Sequence, residues 1–241
     1  MIAGTCKYPL TCDPKDMLET QKKWQRCNDY CGDVMVRGGY PAFAKRLWKE
    51  YDVELAWGPE DGKDLAEGKV DFYTFSYYST SCVTTHADVV MDGAGNLSLG
   101  AKNPYLGYSD WGWAMDPDGL RYYLNEVYNR YQIPMMVVEN GLGAHDVLES
   151  DGKVHDPYRI EYMRGHIKAM EEAIEDGVDL IAYTPWGCID LISASTGEMK
   201  KRYGFVYVDL DNEGRGTRDR YRKDSFYWYK KVIASNGADL D

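Results

Sequence analysis

Pro134-Met135-Met136-Val137-Val138-Glu139-Asn140-Gly141 places four apolar residues in a row, two of them β-branched, between a Pro and a Gly. That pattern reads as a short strand buried on both faces, as strands of a parallel sheet are. The run ends in a carboxylate followed by Asn-Gly. A charged side chain at the end of a buried strand is costly unless it is paired or used. In a barrel of parallel strands that end is the rim where catalytic groups stand. The same residues also fit an ordinary Asn-Gly turn with Glu139 in solvent.

Downstream, Gly141 to Asp156 reads as a loop. It holds His145 and His155, neither with a metal-ligand partner at a useful spacing, so both are expected in solvent. Asp156-Pro157 opens a long helix through Ile160, Met163, Ile167, Met170 and Ile174 to Asp176-Gly177. Val178 to Trp186 is a further strand, Ile189 to Gly197 its outgoing loop, and Lys200-Lys201-Arg202-Tyr203 a basic cluster. Gly204 to Asp209 is extended, Asp211 to Gly214 a turn, and Arg222 to Ser235 a closing helix.

Upstream, Asp116-Pro117-Asp118-Gly119 is a helix entry. Leu120 to Tyr131 is the helix, with Leu120, Leu124, Val127 and Tyr131 on one stripe. Trp111 and Trp113 precede it, as a platform for a flat apolar face or as plugs. His86 to Asp110 is loop-like, with Gly93, Gly95, Asn96 and Gly100, a length that usually covers a site. Val70 to Tyr78 is aromatic and β-branched and reads as a strand. Its tail, Ser76 to Ser81, is all hydroxyls, which suits a polar pocket or a plain loop. Lys63 to Glu67 is one helical turn, and Ala42 to Tyr51 a short helix. Another helix runs from an Asp13 cap to about Cys31. The opening, Met1 to Pro14, shows no strand partner of its own, though Met1 to Gly4 is a candidate fourth strand. Alternating strands and helices imply α/β architecture with a parallel sheet.

The 241 residues, 44% hydrophobic with a net charge of -11, are enough for one sizeable core. The acidic balance argues against nucleic acid and anionic membranes as partners. No run of about 18 apolar residues suggests a membrane span, and Met1-Ile2-Ala3-Gly4 lacks the form of a secretion signal. Six scattered Cys read as free thiols of a cytoplasmic protein, and Cys27-x-x-x-Cys31 has no second pair to complete a zinc site.

Three strand ends, at Tyr78, Glu139 and Trp186, fall on the same rim of a parallel sheet. A carboxylate, a Tyr able to hold it and tryptophans able to stack on a ring are parts of a sugar site. A Lys beside hydroxyls suits an anionic group such as a phosphate, although Lys200 to Arg202 also fits a solvated charged loop.

Five stretches carry a family resemblance. They are Asp71-Phe72…Ser76-Tyr77-Tyr78, then Ser109 to Trp113 with Asp116 to Leu120, then Val137-Val138-Glu139-Asn140-Gly141. Tyr183-Thr184-Pro185-Trp186-Gly187-Cys188-Ile189-Asp190-Leu191-Ile192-Ser193 and Lys201-Arg202-Tyr203-Gly204-Phe205 complete the set. In this order they resemble the C-terminal half of glycoside hydrolase family 1, in its cytoplasmic 6-phospho-β-glucosidase branch. The resemblance implies a (β/α)8 TIM barrel, here its strands five to eight as one unit over residues 1–241. It implies retaining hydrolysis without metal or cofactor. Glu139 would be the nucleophile at the end of the seventh strand, with Tyr78 of the sixth strand hydrogen-bonded to it. Trp186 would floor the sugar site, and Trp113 would belong to it. Ser193 or Ser195, with Lys201 and Tyr203, matches a clamp for the 6-phosphate. Ser193-Ala194 stands where plain β-glucosidases carry Glu-Trp, and Ala194 is similar to the gluco rather than the galacto branch.

One departure is plain. Retaining hydrolysis needs two carboxylates about 5 to 5.5 Å apart, and the family's acid/base Glu follows an Asn at the end of the fourth strand. The chain's Asn125-Glu126 falls inside the helix Leu120 to Tyr131 instead. A whole member needs roughly 450 residues, since a minimal barrel takes about 250 and this family inserts long loops. Two readings follow: a phosphoglucosidase half that works with a missing N-terminal barrel half, or an inactive half-barrel that binds a phosphorylated sugar or only self-associates.

Overall fold

The computed structural model describes residues 1–91 and 100–241; Gly93, Gly95 and Asn96 lie outside them. The elements in order are β1 (Ile2–Ala3), β2 (Cys6–Pro9), α1 (Pro14–Trp24), a π-helical turn (Gln25–Asp29), α2 (Tyr30–Arg37), α3 (Ala44–Glu50) and α4 (Asp61–Glu67). β3 (Tyr73–Ser76), β4 (Thr80–Val83), β5 (Gly107–Tyr108), β6 (Ala114–Met115), α5 (Pro117–Tyr131) and β7 (Met135–Glu139) follow. The chain closes with α6 (Pro157–Glu175), β8 (Leu180–Tyr183), β9 (Val206–Val208), β10 (Arg220–Arg222) and α7 (Asp224–Ala234).

β1, β3, β7 and β8 form one parallel sheet in that order, with helices in the crossovers. This is the α/β half-barrel arrangement expected. The apolar run Met135–Val138 supplies its centre: Met135 and Val137 are fully buried, and Tyr73 and Phe75 of β3 lie beside them. Leu120, Tyr123, Leu124 and Val127 of α5, together with Met170 and Ala173 of α6, cover one face. At roughly 1.5 to 3 kcal/mol per fully buried large apolar side chain, this cluster dominates the fold's stabilisation. Asp116 caps α5 as its sequence implies, its Oδ1 accepting from Gly119 N at 2.9 Å.

Two expectations need correction. The opening segment does have strand partners: β1 pairs with β3, and β2 pairs in parallel with β4. β4 therefore takes up the end of the hydroxyl-rich tail that fits a loop by composition. A parallel partner some seventy residues away leaves no local signature. The first helical stretch continues past Cys31 to Arg37, through the π-helical turn, and stops at Gly38, whose φ of +70° a side chain would resist. His155 is exposed as expected, and it also pairs with Asp224 at 2.6 Å.

Candidate active site

The carboxyl ends of β3, β7 and β8 are tied together by one side chain. Asn140 is wholly buried; its Nδ2 donates to the Tyr77 carbonyl at 2.8 Å and to Tyr162 Oη at 3.0 Å. Its Oδ1 accepts from Tyr183 Oη at 3.0 Å, and its carbonyl accepts from Trp186 N at 2.8 Å. The Asn-Gly signal reads locally as a turn, whereas the amide bridges three strands. The next residue, Gly141, has no room for a Cβ, which would stand 2.6 Å from the Trp186 carbonyl oxygen. Glu139, one residue before Asn140, is thereby anchored from its C-terminal side.

Glu139 is half-buried and accepts from Tyr78 Oη at 3.1 Å. Burial, then the facing carboxylate, raises the Tyr78 pKa far above its ordinary value, so the phenol keeps the proton that it donates. The Tyr78 ring meets Trp113 edge-on at 5.7 Å. On Trp113 sits Lys201, its Nζ 3.7 Å from the ring centroid. Trp111 and Tyr203 flank the same ammonium at 5.4 and 5.7 Å.

Lys201 is 1% exposed, and its Nζ has no hydrogen-bond partner among the described residues. Burial lowers its pKa to about 8, with Glu198 pulling the other way. Glu198 spends its carboxylate on Lys200 at 2.9 Å and on Trp111 Nε1 at 3.1 Å. Tyr203 lies beside Ser193, which is buried, and the Ser193 and Ser195 hydroxyls are 3.2 Å apart. Burial pushes the Tyr203 phenol up to about 12.

Glu139, Tyr78, Trp113, Lys201, Tyr203, Ser193 and Ser195 thus form one chain of contacts. Trp186 joins it through the backbone bond to Asn140. Lys201 and Arg202 are buried, which corrects the solvated-loop alternative. Arg202 donates to Asp190 at 3.0 Å and to the Val208 and Leu210 carbonyls at 2.8 Å. Asn125-Glu126 is helical, with Asn125 bonded to Asp176 at 2.7 Å. Among the described residues no carboxylate shares a hydrogen bond with Glu139. Trp111 and Glu198 belong to the wall of the site. His145 is exposed as expected, yet its ring lies 4.5 Å from that of Trp111, tilted by 34°. No sequence spacing announces these three together, since the elements that carry them meet only in the fold.

The family model for glycosyl hydrolase family 1 matches residues 1–238. The chain is 51% identical over its whole length to a 6-phospho-beta-glucosidase of Clostridium longisporum, covering 51% of that protein. It is 51% identical to the 6-phospho-beta-glucosidase AscB of Escherichia coli K12, covering 50% of it. Among solved structures, a family 1 β-glucosidase from Thermotoga maritima superposes with a TM-score of 0.81 at 30% identity, over 98% of this chain and 50% of that one. The chain spans about half the length of the relatives it matches, and its fold is the second half of their barrel. With the family match running over residues 1–238, through every strand of the sheet, the chain belongs to glycosyl hydrolase family 1.

Proposed function

We propose that the chain is the C-terminal half of a retaining 6-phospho-β-glucosidase, acting with a first half that supplies the acid/base carboxylate. Glu139 attacks the anomeric carbon and forms a glycosyl ester. The second carboxylate protonates the departing glycosidic oxygen and then takes a proton from the water that cleaves the ester. Tyr78 holds the nucleophile's Oε2, leaving the other oxygen to react. Trp186 and Trp113 present rings to the sugar. Ser193, Ser195, Lys201 and Tyr203 take the 6-phosphate.

The observation that carries this reading is the Lys201 ammonium, buried without a hydrogen-bonding acceptor and a few side chains from Glu139. A buried cation without a hydrogen-bonded anion is costly, and a phosphate dianion bonded to it would offset that cost. The relatives' printed names and six thiols free in the structure support a phosphorylated glucoside met in the cytoplasm. No described helix is long and apolar enough to cross a membrane.

The test is the barrel completed by co-expression with a first half. It should cleave p-nitrophenyl 6-phospho-β-glucoside at least about 100-fold better in kcat/KM than the plain glucoside, equivalent to about 2.7 kcal/mol. Glu139→Gln should abolish turnover while keeping phosphosugar binding. Equal rates on both substrates would refute the phosphate clamp. Full turnover by the Glu139→Gln variant would refute the nucleophile. The inactive half-barrel is the second reading, favoured by the chain's span of about half the length of its relatives. It predicts binding without turnover even after completion.

A further inference from the structure

Gly143 lies in the loop between β7 and α6. Its φ is outside the left-handed region, so its backbone does not require glycine. Space does. A Cβ there would stand 2.7 Å from Lys201 Cε, 2.9 Å from Lys201 Cγ and 3.1 Å from Tyr203 Cζ. The lysine stem runs through the volume that any other residue would fill.

The backbone on both sides of this contact is held. Ala144 and Arg202 exchange two backbone hydrogen bonds of 3.0 Å. Behind them stands Arg159 of α6, 1% exposed. Its Nη1 donates to the carbonyls of Leu142 at 2.5 Å, Arg202 at 3.3 Å and Tyr203 at 3.3 Å. Asp146 and Asp156 fix the guanidinium in turn, at 2.8 and 2.9 Å. Carbonyls flanking Gly143 and Lys201 are therefore pinned by one cation. A side chain at 143 cannot be accommodated by sliding these segments apart, so the Lys201 side chain has to give way.

We propose that Gly143 is a specificity-determining position: its missing side chain is the channel that sets the Lys201 ammonium against Trp113 and beside Tyr203. The inference rests on the phosphate clamp described above and adds a residue that touches no substrate. Gly143 acts through Lys201 and is a positioning residue.

Calorimetry of the 241-residue chain with glucose 6-phosphate at pH 7, with glucose as control, tests it, because all four clamp residues lie in this chain. Gly143→Ala should weaken glucose 6-phosphate binding roughly ten- to a hundredfold, as overpacking penalties of this kind imply. Lys201→Ala should weaken it comparably. In the Lys201→Ala background, Gly143→Ala should cost far less than it does alone, because the stem at 2.7 and 2.9 Å is gone and only the looser Tyr203 contact at 3.1 Å remains. This non-additivity is the signature of direct coupling and does not arise from general damage to the fold. If Gly143→Ala fails to fold alone, restored folding in the double variant supports the same coupling, and failure of both overturns it. Tight binding retained by Gly143→Ala, or losses that simply add, would overturn the inference and leave the clamp standing. Failure of the wild-type chain to prefer glucose 6-phosphate over glucose would overturn both.

Discussion

If the proposed clamp holds, the lowered pKa of Lys201 gives phosphate binding a pH signature that an exposed lysine would not. An ordinary lysine keeps its proton to about 10.5, whereas burial brings Lys201 down to about 8. A phosphate monoester is a dianion from about pH 7 upward, its second pKa being about 6. The binding-competent pair is the dianion with protonated Lys201. Above pH 8 the free protein loses that proton, and binding must take it back from solvent. Affinity for glucose 6-phosphate should then fall about tenfold per pH unit, or 1.36 kcal/mol each. The fall at pH 9 relative to pH 7 is roughly tenfold. Tyr203, pushed up to about 12, remains a donor throughout and adds no limb of its own. Stability moves the other way. Between pH 8 and 10.5 the unfolded chain keeps the Lys201 proton that the folded chain has shed, so this residue's contribution to stability rises with pH. Calorimetric titration of the chain from pH 7 to 10, with Lys201→Ala in parallel, separates the effects: the variant should bind weakly and show no limb near 8. A wild-type affinity that stays level to pH 10 would show that Lys201 is not the cation that meets the phosphate.

Arg159→Met should destabilise the chain by about 3 to 5 kcal/mol, because Asp146 and Asp156 would lose a buried cation; urea unfolding showing a loss below about 1 kcal/mol would contradict the assignment of Arg159 as the pin of this region. The chain on its own should associate. The free edge of β8 borders a groove of about 780 Å³ lined by Ile174, Leu180, Ile181, Tyr183 and Ile233, of which Ile181 is 53% exposed. Light scattering that finds only monomer at micromolar concentration would refute this, and loss of the larger species on adding a first half would identify the edge as the closing seam.

Much of the fold is legible because its signals are local. Met135–Glu139 announces itself through an apolar run between Pro134 and Gly141, and α5 and α6 through Asp-Pro entries and apolar stripes. Signals are missing where pairing is remote or short. Lys7 of β2 meets Ser81 of β4 across 74 residues, and neither strand alternates for more than four positions. The pairing of β9 with β10 rests on three residues a side, and Arg220-Tyr221-Arg222 looks like any exposed segment.

The basic cluster shows why a site can be read in part and misread in part. Three consecutive cations look like a solvated face, and for Lys200, exposed and paired with Glu198, that holds. Arg202 is buried, but its anion, Asp190, comes from another loop. Lys223 is fully buried between Asp146 and Asp190, and Arg159 between Asp146 and Asp156. Around the site, then, three buried cations face three buried carboxylates, and every one is matched. The chain has 39 acidic residues against 28 basic ones, so acids are not scarce. Yet Lys201 meets aromatic rings and no hydrogen-bonded carboxylate among the described residues. A carboxylate at that spot would neutralise the ammonium and repel a phosphate. Glu198 acts on the ammonium only at a distance, so among the described residues of this region Lys201 is a buried cation without a hydrogen-bonded acid, which is why the proposed clamp assigns it the phosphate.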